Sequence, residues 1–176
     1  DLHIIFPETS EDAEPGILFI EDIENSRFGQ LMHEAENLEF SRKDYERAAG
    51  LYRESASCAP SVSYRAIAFE GLGRSLIHCN EFEEAYAVYE DLSENYGHML
   101  NKAGHPFGIV SVFQLYEISV RKQEIGDGLE KLVALLKQIR EGRWKINKPT
   151  YDFYSSEIHR ILDEKLSANS FQELQN

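Results

Sequence analysis

An internal repeat is the feature of this sequence that most limits its fold. Two segments match at an offset of 37 residues, which carries Ala48 onto Ala85 and Tyr52 onto Tyr89. Two further pairs match at the same offset: Asp44 with Glu81 and Tyr45 with Phe82. A chain that repeats at such a period folds as stacked copies of one small unit, and each copy buries its apolar face against the next.

Each copy is predicted to be a helical hairpin. From Phe28 onward the apolar residues recur at spacings of three and four, which places them on one face of a helix. We count seven predicted helices after residue 27 and no segment that alternates like a convincing strand. Gly97 and Gly142 are predicted to end helices, and Pro149 is predicted to lie near the start of the last one. The fold class is therefore all-α, an antiparallel helical-hairpin repeat with a C-terminal capping helix.

Three regions follow from this pattern. Residues 1–27 are predicted to form an irregular segment that packs on the stack, residues 28–166 the repeat domain, and residues 167–176 a polar tail. The apolar run Ile17–Ile23 is too short for periodicity to distinguish a strand from a first helical turn. No apolar run approaches the roughly 18 residues that a membrane span requires.

The repeat units resemble the tetratricopeptide repeat, whose period is about 34 residues. The first unit carries that family's small residue, aromatic residue and proline at Ala48, Tyr52 and Pro60. The second carries the Leu72-Gly73 pair, followed by Ala85 and Tyr89. The resemblance covers residues 28–97 well and residues 107–141 loosely, because larger residues such as Leu132 and Leu136 replace the small ones in the third unit.

A narrower resemblance lies in the C-terminal part, where Gly142-Arg143-Trp144 precedes the Phe153-Tyr154 pair. With Glu39-Phe40 and Gly104-His105-Pro106, this is similar to the extracytoplasmic sensor domain of some bacterial two-component histidine kinases. The resemblance implies a non-catalytic sensing domain on the periplasmic face of the inner membrane. It implies membrane spans and a kinase core outside these residues. The alternative is a free-standing intracellular adaptor that binds proteins.

Charge and motif content exclude several other functions. With 18 basic and 31 acidic residues the net charge is −13, which argues against nucleic acid or an anionic membrane surface as the partner. Eleven of the acids lie within residues 1–39, where Arg27 is the only Lys or Arg. His98 and His105 share a loop but lack a metal-ligand spacing, and no nucleophile elbow or phosphate-binding loop is present. We therefore expect no metal, no cofactor and no enzyme activity.

The binding site implied by the repeat resemblance is a concave groove lined by the first helix of each hairpin. The family's groove positions fall on four residues in each unit: His33, Asn37, Phe40 and Ser41, then Glu70, Arg74, Ile77 and His78. This mixture of polar, charged and aromatic side chains suits a peptide or a small ligand. Two other states stay open, in which the N-terminal segment or a second copy of the chain fills the groove.

Two further groups of residues have competing interpretations. Cys58 and Cys79 end consecutive antiparallel helices, so the rise per residue separates them by about 25 Å and predicts two free thiols. The aromatic residues that follow the third unit would form either an exposed ligand platform or the packing seam of the capping helix. They are Trp144, Tyr151, Phe153 and Tyr154.

Overall fold

A computed structural model describes the backbone of residues 23–173 and the side chains of residues 23–165. This part contains seven α-helices: α1 (Arg27–Glu36), α2 (Tyr45–Ser57), α3 (Val62–His78), α4 (Phe82–Asn95), α5 (Phe107–Lys122), α6 (Ile125–Arg140) and α7 (Lys148–Glu173). A π-helical segment, Asn37–Arg42, continues α1. Within the described backbone there is no strand, only an isolated bridge between Leu100 and Pro106. The predicted all-α helical repeat fold with seven helices is confirmed.

The two ends of the chain differ in how much of them is described. Residues 1–22, which hold most of the predicted N-terminal segment, lie outside the described residues. Ile23 packs against the core next to α1. At the other end, α7 continues to Glu173 and so includes most of the segment predicted as a tail.

The helices pack in the order in which they follow one another along the chain. The main contacts join α1 with α2, α2 with α3, and so on to α6 with α7. Most connections between consecutive helices are short, as antiparallel neighbours require, and the longest covers residues 96–106 between α4 and α5. A stack of this kind is held together by nearest-neighbour interfaces. The first helix of each predicted hairpin corresponds to an odd-numbered helix: α1, α3, α5 or α7.

Two apolar clusters form the core, and α5 belongs to both. The larger cluster extends from Phe28 in α1 to Ile118 in α5 and includes Phe107. The smaller cluster joins Ile109 of α5 to α6, α7 and Trp144. Phe107 and Ile109 are both fully buried, so opposite faces of α5 pack into the two clusters.

Small residues let neighbouring helices approach closely, as the repeat pattern predicts. A Cβ placed on Gly71 would lie 2.5 Å from the ring of Tyr52, and one on Gly73 would lie 2.7 Å from the ring of Tyr89. Both tyrosines are fully buried. The two repeat-related rings therefore each fill the space that a glycine of α3 leaves open, because interiors are close-packed.

The glycines that follow helices have different roles. Gly142 follows α6 with a φ of +73°, as expected for a residue that ends a helix. The prediction for Gly97 is wrong, because α4 is capped by Tyr96 and Gly97 is not left-handed. Gly97 is instead buried: a Cβ there would approach the Trp144 ring to 3.1 Å, and its carbonyl accepts a hydrogen bond from Gly108.

Candidate binding groove

An open groove of about 510 Å³ runs between α3, α5 and α7. Three of the eight predicted site residues, Arg74, Ile77 and His78 of α3, line it. Phe113 of α5 and Ile161 of α7 add apolar surface to the opposite walls. The odd-numbered helices thus form a shared surface with a cleft, the kind of site in which ligands are usually held.

Phe40, in the π-helical extension of α1, lies beside this groove. Phe40 is 56% exposed, and its ring centroid lies 5.5 Å from the guanidinium carbon of Arg74. Asn37 and Ser41 are exposed on the same segment. His33 lines a separate depression of about 490 Å³ between α1 and α3. Of the eight predicted residues, three therefore line the groove and one lines the second depression, while Asn37, Phe40, Ser41 and Glu70 line neither.

A buried carboxylate that sequence reasoning missed holds Arg74 in place. Glu39 is only 2% exposed, and its oxygens accept hydrogen bonds from Arg74 Nε at 2.8 Å and Arg74 Nη2 at 3.0 Å. The Tyr52 hydroxyl donates a third bond at 2.6 Å. Charge-assisted, two-pronged bonds of this kind fix the plane of the guanidinium. One edge of the Arg74 guanidinium therefore has a structural role.

The pKa values of the two donors reflect this contact. Burial alone would lower the pKa of Arg74, but the hydrogen bonds and the charge of Glu39 outweigh it and raise that pKa above its ordinary value. Burial raises the pKa of the Tyr52 hydroxyl, and the bond to Glu39 raises it further. Arg74 therefore stays charged and Tyr52 stays a donor throughout the physiological range.

Glu39 lies on the buried side of a π-helical segment. Leu38 and Glu39 are both buried in this segment, which ends at Lys43, whose φ is +58°. Inserted π turns of this kind are frequent at functional sites. Phe40, the residue after Glu39 in the same turn, is exposed.

Glu70, another predicted site residue, connects the groove to the loop before α5. Its carboxylate lies 3.7 Å from Arg74 Nη1 and accepts a hydrogen bond from the Asn101 side chain at 2.9 Å. The side-chain oxygen of Asn101 in turn accepts bonds from the backbone of Ala103 and His105. Arg74 therefore bridges two carboxylates, and Glu70 serves the fold as well as the groove.

Most of the remaining charged groups of the groove are paired with one another. Arg121 of α5 bonds Glu117 at 2.9 Å, and Arg160 of α7 bonds Glu157 at 2.5 Å and Glu164 at 2.6 Å. His78 is exposed and stacks on Tyr45 with ring centroids 4.2 Å apart. A groove whose arginines already hold carboxylates favours a ligand with amide and apolar groups over a free anion.

The C-terminal aromatic group is mainly a packing seam. Trp144 and Tyr154 are 6% and 7% exposed, and the Trp144 ring fills the space beside Gly108. Tyr154 contacts the rings of His105 and Phe113. Phe153, in contrast, is 60% exposed. These contacts favour the packing interpretation over a ligand platform.

Three other expectations concern the cysteines, metal binding and membrane spans in the described part of the chain. Cys58 and Cys79 are free thiols. Among the described residues, no three His, Cys, Asp or Glu side chains are grouped to hold a metal ion. No described helix has both the length and the hydropathy needed to span a bilayer.

Comparison with known proteins returned no relatives. No family model matches the chain, and no curated protein and no solved structure matches it significantly. The two resemblances described above therefore rest on the sequence patterns themselves.

Proposed function

We propose that this chain is a non-catalytic binding module that takes up an extended polypeptide segment in the groove between α3, α5 and α7. The observation that carries the proposal is an open cleft of about 510 Å³ beside an exposed phenylalanine, Phe40. A segment bound there would place apolar side chains against Ile77 and Phe113. Grooves with such walls and a polar rim are typical of peptide recognition.

We further propose that the module is the sensing part of a bacterial two-component histidine kinase on the periplasmic side of the inner membrane. The support for this role is the sequence resemblance around Trp144 and Tyr154. A signal would have a route through the stack, because the groove is shared by α3 in its middle and α7 at its end. A ligand that contacts both helices would fix their separation. The alternative, an intracellular adaptor, would use the same groove.

Selection of a phage-displayed random peptide library on the purified chain tests the binding proposal. Peptides that bind should lose at least about tenfold in affinity on Phe40→Ala, because an apolar anchor of that size contributes more than 1 kcal/mol. The matched control is Phe153→Ala, which removes an equally exposed phenylalanine, 60% against 56%. Selected peptides that bind Phe40→Ala and His78→Ala as tightly as the parent chain would refute the assignment of the groove.

The sensor role has its own test in the gene that encodes the chain. Membrane spans before and after these residues, followed by a kinase core, would support it. A start codon shortly upstream with no span would favour the adaptor. Peptide binding in the groove can thus be established whichever of the two contexts is found.

A further inference from the structure

The outer face of α6 carries an apolar centre that no described helix covers. Val133 is 52% exposed, and few large apolar side chains in the described part of the chain are as open. With Leu129, Ala134 and Leu162 it lines a largely apolar depression of about 530 Å³ between α6 and α7. This depression is distinct from the groove proposed above, with which it shares Lys165. Both α3 and α5 pack between two even-numbered helices, whereas α7 contacts α6 alone among the main helix pairs.

The charges on this face are ordered along α6. Asp127 and Glu130 lie on the N-terminal side of the apolar centre, and Lys137 and Arg140 lie on the C-terminal side. All four are exposed. The helix dipole favours such an order by itself. It does not explain the exposed valine at the centre.

The spacing makes this face complementary to itself. Glu130 precedes Val133 by three residues, and Lys137 follows Ala134 by three. An antiparallel pair of α6 helices related by a two-fold axis between residues 133 and 134 therefore sets each Glu130 opposite the partner's Lys137. The same axis sets Asp127 opposite the partner's Arg140. Closed two-fold contacts require this kind of self-complementary patch.

The existing contacts of these charged groups leave them available for such a pairing. Lys137 lies 3.9 Å from Glu141, and both side chains are more than half exposed. Asp127 is also exposed; it lies 3.9 Å from Lys131 and accepts a hydrogen bond from the Tyr86 hydroxyl at 3.3 Å. Arg140 Nη2 lies 3.1 Å from His159 Nε2, likewise at the surface. Exposed pairs at these distances contribute little to stability. Replacing these ion pairs by pairs across an interface, around a valine that is removed from water, therefore costs little free energy.

We infer that the α6 face is a homodimer interface, in which two copies pack Val133 and Ala134 together and exchange Glu130–Lys137 ion pairs. A second copy is favoured over an unrelated helix because both charge pairs match under one two-fold axis. The contact is small, so the dimer is reversible and weakens with salt.

Sedimentation equilibrium of the full chain tests this inference. At low salt the mass should rise with concentration from 20.2 kDa towards twice that value. Val133→Glu should weaken the dimer at least about tenfold, because it places two like charges at the two-fold axis. The matched control is Val62→Glu, at a position 50% exposed in the first turn of α3, which should leave association unchanged.

Charge reversal makes the test specific to this geometry. Glu130→Lys and Lys137→Glu should each weaken the dimer, since each change creates two repulsive pairs by symmetry. The double variant should restore association to near the parent level, because both pairs are complementary again. Circular dichroism checks that each variant stays folded. A chain that is monomeric up to millimolar concentration, or a double variant no better than the single ones, overturns the inference.

Discussion

Replacing Arg74 by methionine should destabilise the protein far more than the loss of an exposed ion pair. The change keeps the apolar stem but removes two of the three hydrogen bonds that Glu39 accepts, those at 2.8 and 3.0 Å. The bond from Tyr52 at 2.6 Å remains. Because Glu39 is only 2% exposed, water cannot replace the missing donors without opening the contact between α1 and α3.

The expected loss of stability follows from how deeply Glu39 and Arg74 are buried. Removing one partner of a buried ion pair destabilises a protein by about 3–5 kcal/mol. The Arg74 side chain is 33% exposed, so solvent screening reduces the loss to about 2–3 kcal/mol. For a domain of this size such a loss lowers Tm by roughly 5–10 °C.

Urea unfolding followed by circular dichroism measures this loss. The matched control is Arg121→Met, since Arg121 holds Glu117 at a similar 2.9 Å but both side chains are about 40% exposed or more. That control should lose less than about 0.5 kcal/mol.

A second variant separates the buried charge from the lost packing. Glu39→Gln combined with Arg74→Met should be more stable than Arg74→Met alone, because the amide keeps an acceptor for Tyr52 and removes the buried charge. Equal losses for Arg74→Met and Arg121→Met would refute the reasoning. So would a double variant less stable than the single one.

Two further predictions test packing and titration. Gly71→Ala should destabilise the protein by about 1–3 kcal/mol, because the new methyl group would lie 2.5 Å from the Tyr52 ring. Gly50→Ala in α2 is the control: its methyl group meets nothing within 4 Å, so it should stabilise the protein by about 0.5–1 kcal/mol. Urea unfolding measures both variants, and equal effects would contradict the packing argument. Burial raises the pKa of Tyr154 from 10.0 to about 12. The neutral hydroxyl therefore adds to the free energy of unfolding, fully below pH 10, and this stabilisation is lost as the pH rises from 10 to about 12. Unfolding measured from pH 8 to 12 should therefore show a shallower alkaline decline for Tyr154→Phe than for the parent chain, and an unchanged decline would contradict this origin.

The helices and their order could be predicted because the apolar spacing, the alanines and the repeat-related tyrosines are local signals. Ala48 and Ala85 are fully buried at equivalent positions, as the offset requires. Gly71 and Gly73 were also identifiable as packing sites, since a glycine inside a helix usually marks a close approach.

Much of the site could not be predicted, because it depends on contacts between residues far apart in the sequence. Glu39 follows Ala35 by four residues, so a helical projection places it on the buried face of α1, but the projection does not show that Arg74 is its partner. The groove prediction treated Glu70 and Arg74 as free to bind a ligand, but both hold other parts of the fold. A glutamate near an arginine, 35 residues apart in the sequence, leaves no periodic signal.

The division of the core at α5 has a consequence for how the protein melts. Phe107 belongs to the N-terminal cluster and Ile109 to the C-terminal one, so we expect local opening of the half that contains α6 and α7 to expose one cluster and leave the other packed. A ligand in the proposed groove would touch α3 in one half and α7 in the other. Such a ligand would therefore join the two halves and make the unfolding of the protein more cooperative.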